Sequence, residues 1–328
     1  MVVTVALMAG CQPQRQYFPR TMPKQSVQII RFDSSLLSVR TDHADEDIRA
    51  LYSTYPEFMP VYLEQALGVA ARDTAYLIEA LPLFIHDTTY GFEHTNNFVL
   101  QTFADMRSVE HELTEAFTRL AYLYPDIYVP RIYTFVSGFN ASVLFLDNAD
   151  MAVGLDMYLG SDYPYYNQVV YNYQKPTMRK QCIATDLVSA YLFASFPYSG
   201  VKSRLIDNMI YRGKLMYVCS TLIDLPQYEI MGYTREQWQW CERNERQVWN
   251  RIMDKRDLFK SEPLLLSSYL NDAPFTAEIS QEAPPRLGTW IGWRIAESYM
   301  AHHPEKSLQD LIANHDAEQI LRESYYKP

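Results

Sequence analysis

One segment of the chain combines residue types that could bind a metal ion. Residues 111–115 read HELTE, part of the HExxH spacing in which positions i and i+4 share one helix face. In an active zinc metallopeptidase, His111 and Glu115 would ligate zinc and Glu112 would activate a water molecule, with a third ligand from elsewhere. The alternative is an acidic first turn of a helix, which the helix dipole stabilises. The apolar spacing favours this alternative, because it turns Leu113 toward the core and leaves His111 to one side.

The other residue types suited to chemistry form no recognisable motif. No GxSxG, GxGxxG or GxxxxGK[ST] string occurs, so nucleophilic catalysis and phosphate binding lack their usual signatures. The remaining histidines are His43, His86, His94, His302, His303 and His315. None has a ligand partner at metal spacing except the adjacent His302 and His303, whose side chains would point apart on a helix. The sequence therefore predicts no catalytic residue, no metal and no cofactor.

The N-terminus indicates a membrane anchor. Residues 1–10 read MVVTVALMAG, an apolar run too short to span a bilayer, and Cys11 follows a pair of small residues. This pattern resembles the lipobox of bacterial lipoproteins, in which the cysteine becomes the lipidated first residue. We therefore expect a lipoprotein signal peptide at 1–10 and a lipid-anchored flexible tether at 11–27, which is rich in proline and has no acidic residue. The alternative is an apolar N-terminus with a chance cysteine, since no Lys or Arg precedes it.

Composition excludes two broad classes of protein. Lys and Arg number 29 against 39 Asp and Glu, a formal net charge of −10, so no basic face for nucleic acid is expected. Hydrophobic residues make up 48%, which excludes a disordered chain. Beyond Cys11 there are three cysteines without a CxxC pair, too few for a disulfide framework, and Cys182 and Cys219 fall in apolar helical runs.

The elements that would position any site are mostly helices. Periodicity and capping signals predict helices before residue 125 and again after residue 178, including one from about 108 to 124 and one opened by a Thr234–Gln237 capping box. Between them, three short apolar runs predict a small antiparallel β-meander. A tyrosine-rich loop, 160–177, follows the meander. We expect one α+β domain, predominantly α-helical, over residues 28–328.

Aromatic residues suggest a further possibility. Trp238, Trp240 and Trp249 fall on one predicted helix, and Trp290 and Trp293 on another. Core packing explains such residues, because they bury large areas. The alternative is an aromatic cleft that binds a glycan or a peptide.

Several strings together resemble the GldB family of gliding-motility lipoproteins. They include YPEFMPVYLEQALG, DMAVGLDMYLGSDYPYY, RKQCIATDLVSAYL, MIYRGKLMYVCSTLIDLP, WQWCERNERQVWNRI and PPRLGTWIGWRIAESYM. The resemblance covers nearly the whole chain from about residue 27, and the lipobox-like Cys11 agrees with it. It implies a lipid-anchored, periplasm-facing envelope protein of a Gram-negative bacterium, which works with envelope proteins of a gliding-motility and type IX secretion assembly.

The GldB family is in turn distantly similar to zincin-type predicted zinc peptidases. That similarity implies a zincin-like core in which the helix over 179–196, after a strand over 152–158, stands where the HExxH helix would be, and it contains no histidine. The implied protein is non-catalytic, with a degenerate peptidase-like cleft used for binding. The residues expected to flank this cleft and contact a partner, a peptide or a glycan are Asp156, Tyr158, Asp162, Tyr163, Arg179, Asp186, Arg212 and Lys214.

Overall fold

A small mixed sheet lies at the centre of the chain. The computed structural model describes residues 17–70, 74–147 and 149–328. Within them the sheet consists of β1 (Ile29–Ile30), β2 (Ile132–Phe135), β3 (Val143–Phe145) and β4 (Met151–Gly154), in the order β1-β2-β4-β3. The strands β1, β2 and β4 run parallel to one another, and β3 pairs antiparallel with β4.

The predicted antiparallel meander is therefore wrong. The strand β4 lies between β2 and β3, and every residue of β2 and β4 is buried, almost all of them apolar. Continuous apolar runs are typical of parallel strands covered on both faces. The strand predicted over 152–158 also ends earlier, since Leu155–Tyr158 forms a 3₁₀ turn.

The helices of the first half of the chain lie between β1 and β2 in the sequence. They are α1 (Phe32–Leu36), α2 (Ala44–Thr54), α3 (Phe58–Val61), which continues into a π-helical turn (Tyr62–Ala66), α4 (Thr74–His86), α5 (Phe92–Thr102) and α6 (Arg107–Leu123). The amphipathic prediction for α6 is confirmed, because Leu113, Phe117 and Leu120 are all buried.

The second half of the chain is helical. Its helices are α7 (Tyr166–Val169), α8 (Ile183–Ser195), α9 (Leu205–Leu222), α10 (Gln227–Met231), α11 (Arg235–Asp254), α12 (Pro263–Leu270), α13 (Leu287–His302), α14 (Leu308–Ala313) and α15 (Ala317–Glu323). The Thr234–Gln237 capping box of α11 is confirmed. The fold is thus α+β and predominantly helical, as expected.

The helices α9 and α13 cross at unusually close range. A Cβ atom on Gly213 would overlap the backbone of Gly292, and one on Gly292 would overlap the carbonyl of Met209. Beside this crossing, Trp290 and Trp293 are completely buried. Core packing therefore explains these two tryptophans.

The segment before the sheet lies against the helices. The hydroxyl groups of Tyr17 and Tyr217 are 2.6 Å apart, the backbone N–H of Gln25 donates to the Thr118 hydroxyl (2.9 Å), and Val27 is buried. The described part of the expected tether thus contacts α6 and α9. Cys11 and the expected signal peptide lie outside the described residues. In the described part of the chain, no helix is both long enough and apolar enough to cross a membrane.

Candidate functional site

A cavity of about 320 Å³ opens between α8, α10 and the start of α13. That volume lies at the small end of the range for ligand pockets. Its polar lining includes Ser142, Tyr158, Thr185, Asp186, Glu229, Asp272 and Arg286. These residues come from segments that are far apart in the sequence.

Asp186 and Tyr158 form a hydrogen-bonded pair on the cavity wall. Asp186 lies in the first turn of α8, and the Tyr158 hydroxyl donates to its Oδ2 at 2.8 Å. Burial raises the pKa of Asp186 to about 6, even though the carboxylate has some contact with the cavity. Burial and the nearby Asp186 raise the pKa of Tyr158 well above its usual value, so the phenol remains a donor.

The other charged groups of the cavity already have partners of opposite charge. Arg286 Nε lies 2.9 Å from Asp272 Oδ1, and the Arg286 guanidinium also donates to the carbonyl of Met231. Glu229 lies 3.6 Å from the guanidinium of Arg179. Asp186 differs from these acids, because no ion pair to it occurs among the described residues.

Thr185 adds an unused polar atom to the cavity. Its side chain is only 4% exposed, and its Oγ1 has no hydrogen-bond partner in the described part of the chain. A buried hydroxyl without a partner costs free energy, and such groups are rare in folded proteins. The cavity wall therefore contains a carboxylate without an ion pair and, in the adjacent residue, a buried hydroxyl that no described residue satisfies.

Comparison with known proteins decides the family. A family model described as gliding motility protein GldB matches residues 19–328. The chain belongs to the GldB family. Searches among curated proteins and among solved structures returned no match. The family description connects this chain with gliding motility, as the resemblance implies.

Two of the eight residues expected at the cleft of this GldB-family chain line the cavity, Tyr158 and Asp186. Arg179 does not line the cavity itself, but its guanidinium lies 3.6 Å from Glu229, which does. Arg212 donates to the carbonyl of Leu270 at 2.7 Å, and burial, followed by the charge of Arg286, lowers the pKa of Arg212.

Asp156, Tyr163 and Asp162 are not among the residues that line the cavity. The Asp156 carboxylate accepts hydrogen bonds from the backbone N–H groups of Ser137 (3.0 Å) and Phe139 (2.7 Å), and burial raises its pKa to about 6. Tyr163 is buried with its hydroxyl 2.8 Å from that of Thr95, and Asp162 is exposed. Asp156 thus stabilises a turn after β2. The predicted partner contact through Asp156, Tyr163 and Asp162 stays a prediction.

Lys214 lies away from the cavity, near the end of α14. Its Nζ donates to the carbonyls of Ile312 (2.7 Å) and Asn314 (2.8 Å). Burial lowers the pKa of Lys214 to about 8. These contacts satisfy carbonyls at a helix end, so they account for the burial of a lysine without any ligand.

Sequence reasoning missed Thr185, Glu229, Asp272 and Arg286. Thr185 could have been identified from the sequence, because it immediately precedes the predicted residue Asp186 in the string RKQCIATDLVSAYL. Arg286 follows two prolines, and its backbone has a positive φ of 56° at the start of α13. A positive φ is uncommon for arginine. Arg286 precedes α13 and lines the cavity, and no periodic pattern in the sequence predicts this position.

The HELTE segment does not assemble a metal site in the structure. His111 is exposed on α6, and Glu115 lies 4.0 Å from Lys24. Burial raises the pKa of Glu112. Within residues 17–70, 74–147 and 149–328, no group of three or more His, Cys, Asp and Glu side chains is arranged to share a metal ion.

We expect His111→Ala to leave metal content and motility unchanged. An exposed histidine whose neighbours supply no third ligand binds zinc only weakly. The measurement is the zinc content of the purified full chain by mass spectrometry, together with the spreading of colonies that carry the variant. Glu110→Ala, which changes the preceding residue of α6, is the matched control. Stoichiometric zinc that is lost in His111→Ala alone would restore the metallopeptidase alternative.

Proposed function

We propose that this GldB-family chain is a lipid-anchored, periplasm-facing envelope protein and a non-catalytic component of a gliding-motility and type IX secretion assembly. The family match over residues 19–328 supports the link to motility. The apolar run that ends at Cys11 supports the lipid anchor. The basic, acid-free N-terminal 27 residues would also be attracted to anionic lipid headgroups, whereas the acidic body would be repelled.

We further propose that the scaffold is peptidase-like but uses its cavity for binding. The observation that carries this proposal is the content of α8, which packs against β3 and β4 and contributes to the cavity wall. It contains no histidine, cysteine or glutamate, and its one acid, Asp186, bonds to a tyrosine. Such a wall offers hydrogen bonds and charge to a partner, but it lacks the paired ligands that a zinc peptidase needs.

Cys11→Ala is expected to release the protein from membranes. The lipid is the only anchor in the proposal, and the loss of the thiol prevents its attachment. The measurement is the fraction of the chain that pellets with membranes after cell lysis, followed by extraction with carbonate. Gln12→Ala is the matched control, because it changes the neighbouring residue and retains the thiol.

The same pair of variants tests the proposed place in the motility assembly. Cys11→Ala should abolish colony spreading in a gliding host that depends on this chain, and Gln12→Ala should spread normally. If Cys11→Ala still pellets with membranes, the lipid anchor is wrong. If it is released and the colonies still spread, the anchored chain is not required for motility.

A further inference from the structure

We propose that the cavity beside α8 binds a primary ammonium group, with Asp186 as its counter-charge and Thr185 as a second acceptor. This inference rests on the proposed function, because it names the chemistry that the binding cavity recognises. The group would belong either to a lysine side chain of a partner protein or to a small free amine, and these two sources share the same recognition chemistry.

The charges of the cavity favour a cation. Its polar lining contains three carboxylates, those of Asp186, Glu229 and Asp272, and one guanidinium, that of Arg286. Glu229 and Asp272 already lie beside arginines, at 3.6 Å and 2.9 Å. Among these three acids of the described chain, Asp186 alone forms no ion pair, although the charge of Arg286 across the cavity acts to lower its pKa. Because an unpaired carboxylate is costly to bury, a cation in the cavity would stabilise it.

The hydrogen-bonding groups favour the same occupant. The Asp186 carboxylate receives a side-chain hydrogen bond only from Tyr158 within the described residues, so it retains accepting capacity. Thr185 Oγ1 is buried and has no partner there. An ammonium group has three donors and no acceptor, so it complements a carboxylate and a hydroxyl oxygen at once.

An anionic occupant fits less well. Among the described residues, one guanidinium lines the cavity, that of Arg286, and it already donates to the Met231 carbonyl and lies beside Asp272. A phosphate or carboxylate would therefore find a cation already in use and would lie among three acids. The cavity volume of about 320 Å³ also limits the occupant to a side chain or a small molecule.

Titration of the full chain, purified in detergent, with n-butylammonium at pH 7.5 tests this proposal by calorimetry. The neutral compound 1-butanol is matched in size and hydrogen-bonds without a charge. We expect measurable binding of the amine and binding at least about tenfold weaker for the alcohol, since a buried ion pair supplies the difference. Equal binding of the two compounds would overturn the proposal.

Two variants locate the bound amine. Asp186→Asn should weaken n-butylammonium binding by at least about tenfold, and Thr185→Val by several-fold, because each removes one acceptor. Asp126→Asn is the control, since Asp126 is exposed in the loop after α6 and is not among the residues that line the cavity, and the affinity of this variant for n-butylammonium should change less than about twofold. Near-ultraviolet circular dichroism reports whether each variant is folded. Unchanged affinity in folded Asp186→Asn and Thr185→Val would place the amine elsewhere and overturn the proposal.

Two further titrations distinguish the sources of the ammonium group. Tighter binding of the capped peptide acetyl-Gly-Lys-Gly-amide than of cadaverine supports a partner lysine, and the reverse supports a free amine. Lack of amine binding together with normal Cys11-dependent anchoring and spreading would remove this inference and leave the proposed function intact. If the chain binds the amine but Cys11→Ala still pellets with membranes, the inference is retained and the lipid anchor is wrong.

Discussion

Gly292→Val is expected to prevent the chain from folding. The helices α9 and α13 touch backbone to backbone, and a Cβ atom on Gly292 would overlap the carbonyl oxygen and carbon of Met209. Backbone atoms in the middle of a helix cannot move aside as a side-chain end can, so the two helices must separate. Separation would expose the buried side chains beside the crossing, among them Trp290 and Trp293. We expect a loss of more than about 4 kcal/mol, a large part of the stability of a typical domain.

The measurement is the free energy of unfolding in urea, followed by circular dichroism, with resistance to protease as a second readout. Gly213→Val should have a similar effect, because a Cβ atom there meets the backbone of Gly292 from the opposite helix. Gly68→Ala is the control. A Cβ atom on Gly68 meets nothing within 4 Å, so only its positive φ of 67° opposes alanine, at a cost of about 1 kcal/mol. A stable, folded Gly292→Val protein would show that the two helices do not cross this closely.

Local signals in the sequence predicted α6 and the start of α11, but they did not indicate α5 or α12. The helix α6 follows from the spacing of Leu113, Phe117 and Leu120, which are buried as expected. The start of α11 follows from Thr234 and Gln237, whose reciprocal hydrogen bonds involve residues only three apart. Such features depend on neighbours in the chain, so the sequence contains the necessary information.

Strand pairing depends on distant parts of the chain, and here the sequence was misleading. Three short apolar runs in succession are typical of a meander, but β4 pairs with β2 and β3 on its two sides. The strand β1 is only two residues long, and it joins the sheet by pairing with β2, about a hundred residues later. The preference for a parallel order comes from burial on both faces, which becomes visible only when the helices are in place.

The cavity was found only in part for the same reason. The cleft expected from a zincin-like core suggested Tyr158 and Asp186, which do meet at the cavity wall. Arg286 and Asp272 come from an irregular segment without periodicity, and only the tertiary fold brings them to α8. The same reasoning proposed Asp156, which is close to Tyr158 in the sequence but lies away from the cavity and accepts hydrogen bonds from a turn after β2.

Asp150→Ala is expected to destabilise the protein by about 1 to 3 kcal/mol, because it removes the acceptor for the backbone N–H of Arg131 and for the Tyr128 hydroxyl. Asp150 is completely buried just before β4. It accepts hydrogen bonds from the backbone N–H of Arg131 (2.8 Å), from Arg131 Nε (2.7 Å) and from the Tyr128 hydroxyl (2.7 Å). Arg131 immediately precedes β2, and Ile132 pairs with Met151, so this carboxylate fixes the parallel register of β2 and β4 at their first residues.

The pH dependence of the unfolding free energy distinguishes the hydrogen-bonding role of the Asp150 carboxylate from a simple loss of packing. Burial acts to raise the pKa of Asp150, but hydrogen bonds from Tyr128 and Arg131 outweigh it and hold the pKa below its ordinary value. The carboxylate therefore contributes stability above the unfolded-state pKa of about 4, and this contribution is lost as the pH falls through the lower folded-state value. The difference in unfolding free energy between wild type and Asp150→Ala should shrink between pH 5 and about 2.

Glu57→Gln is the matched control for Asp150→Ala. Glu57 lies 2.9 Å from the same Arg131 guanidinium, but its side chain is 60% exposed, so its loss should cost less than about 1 kcal/mol. Urea unfolding of the three proteins at pH 7 and at low pH measures both effects. If Glu57→Gln lowers the free energy of unfolding as much as Asp150→Ala does, then ion pairing of Arg131 stabilises the protein and the buried hydrogen bonds of Asp150 add nothing further. A larger cost at Asp150 than at Glu57 would show that the buried hydrogen bonds beside β2 and β4, and not the exposed ion pair, stabilise this end of the sheet.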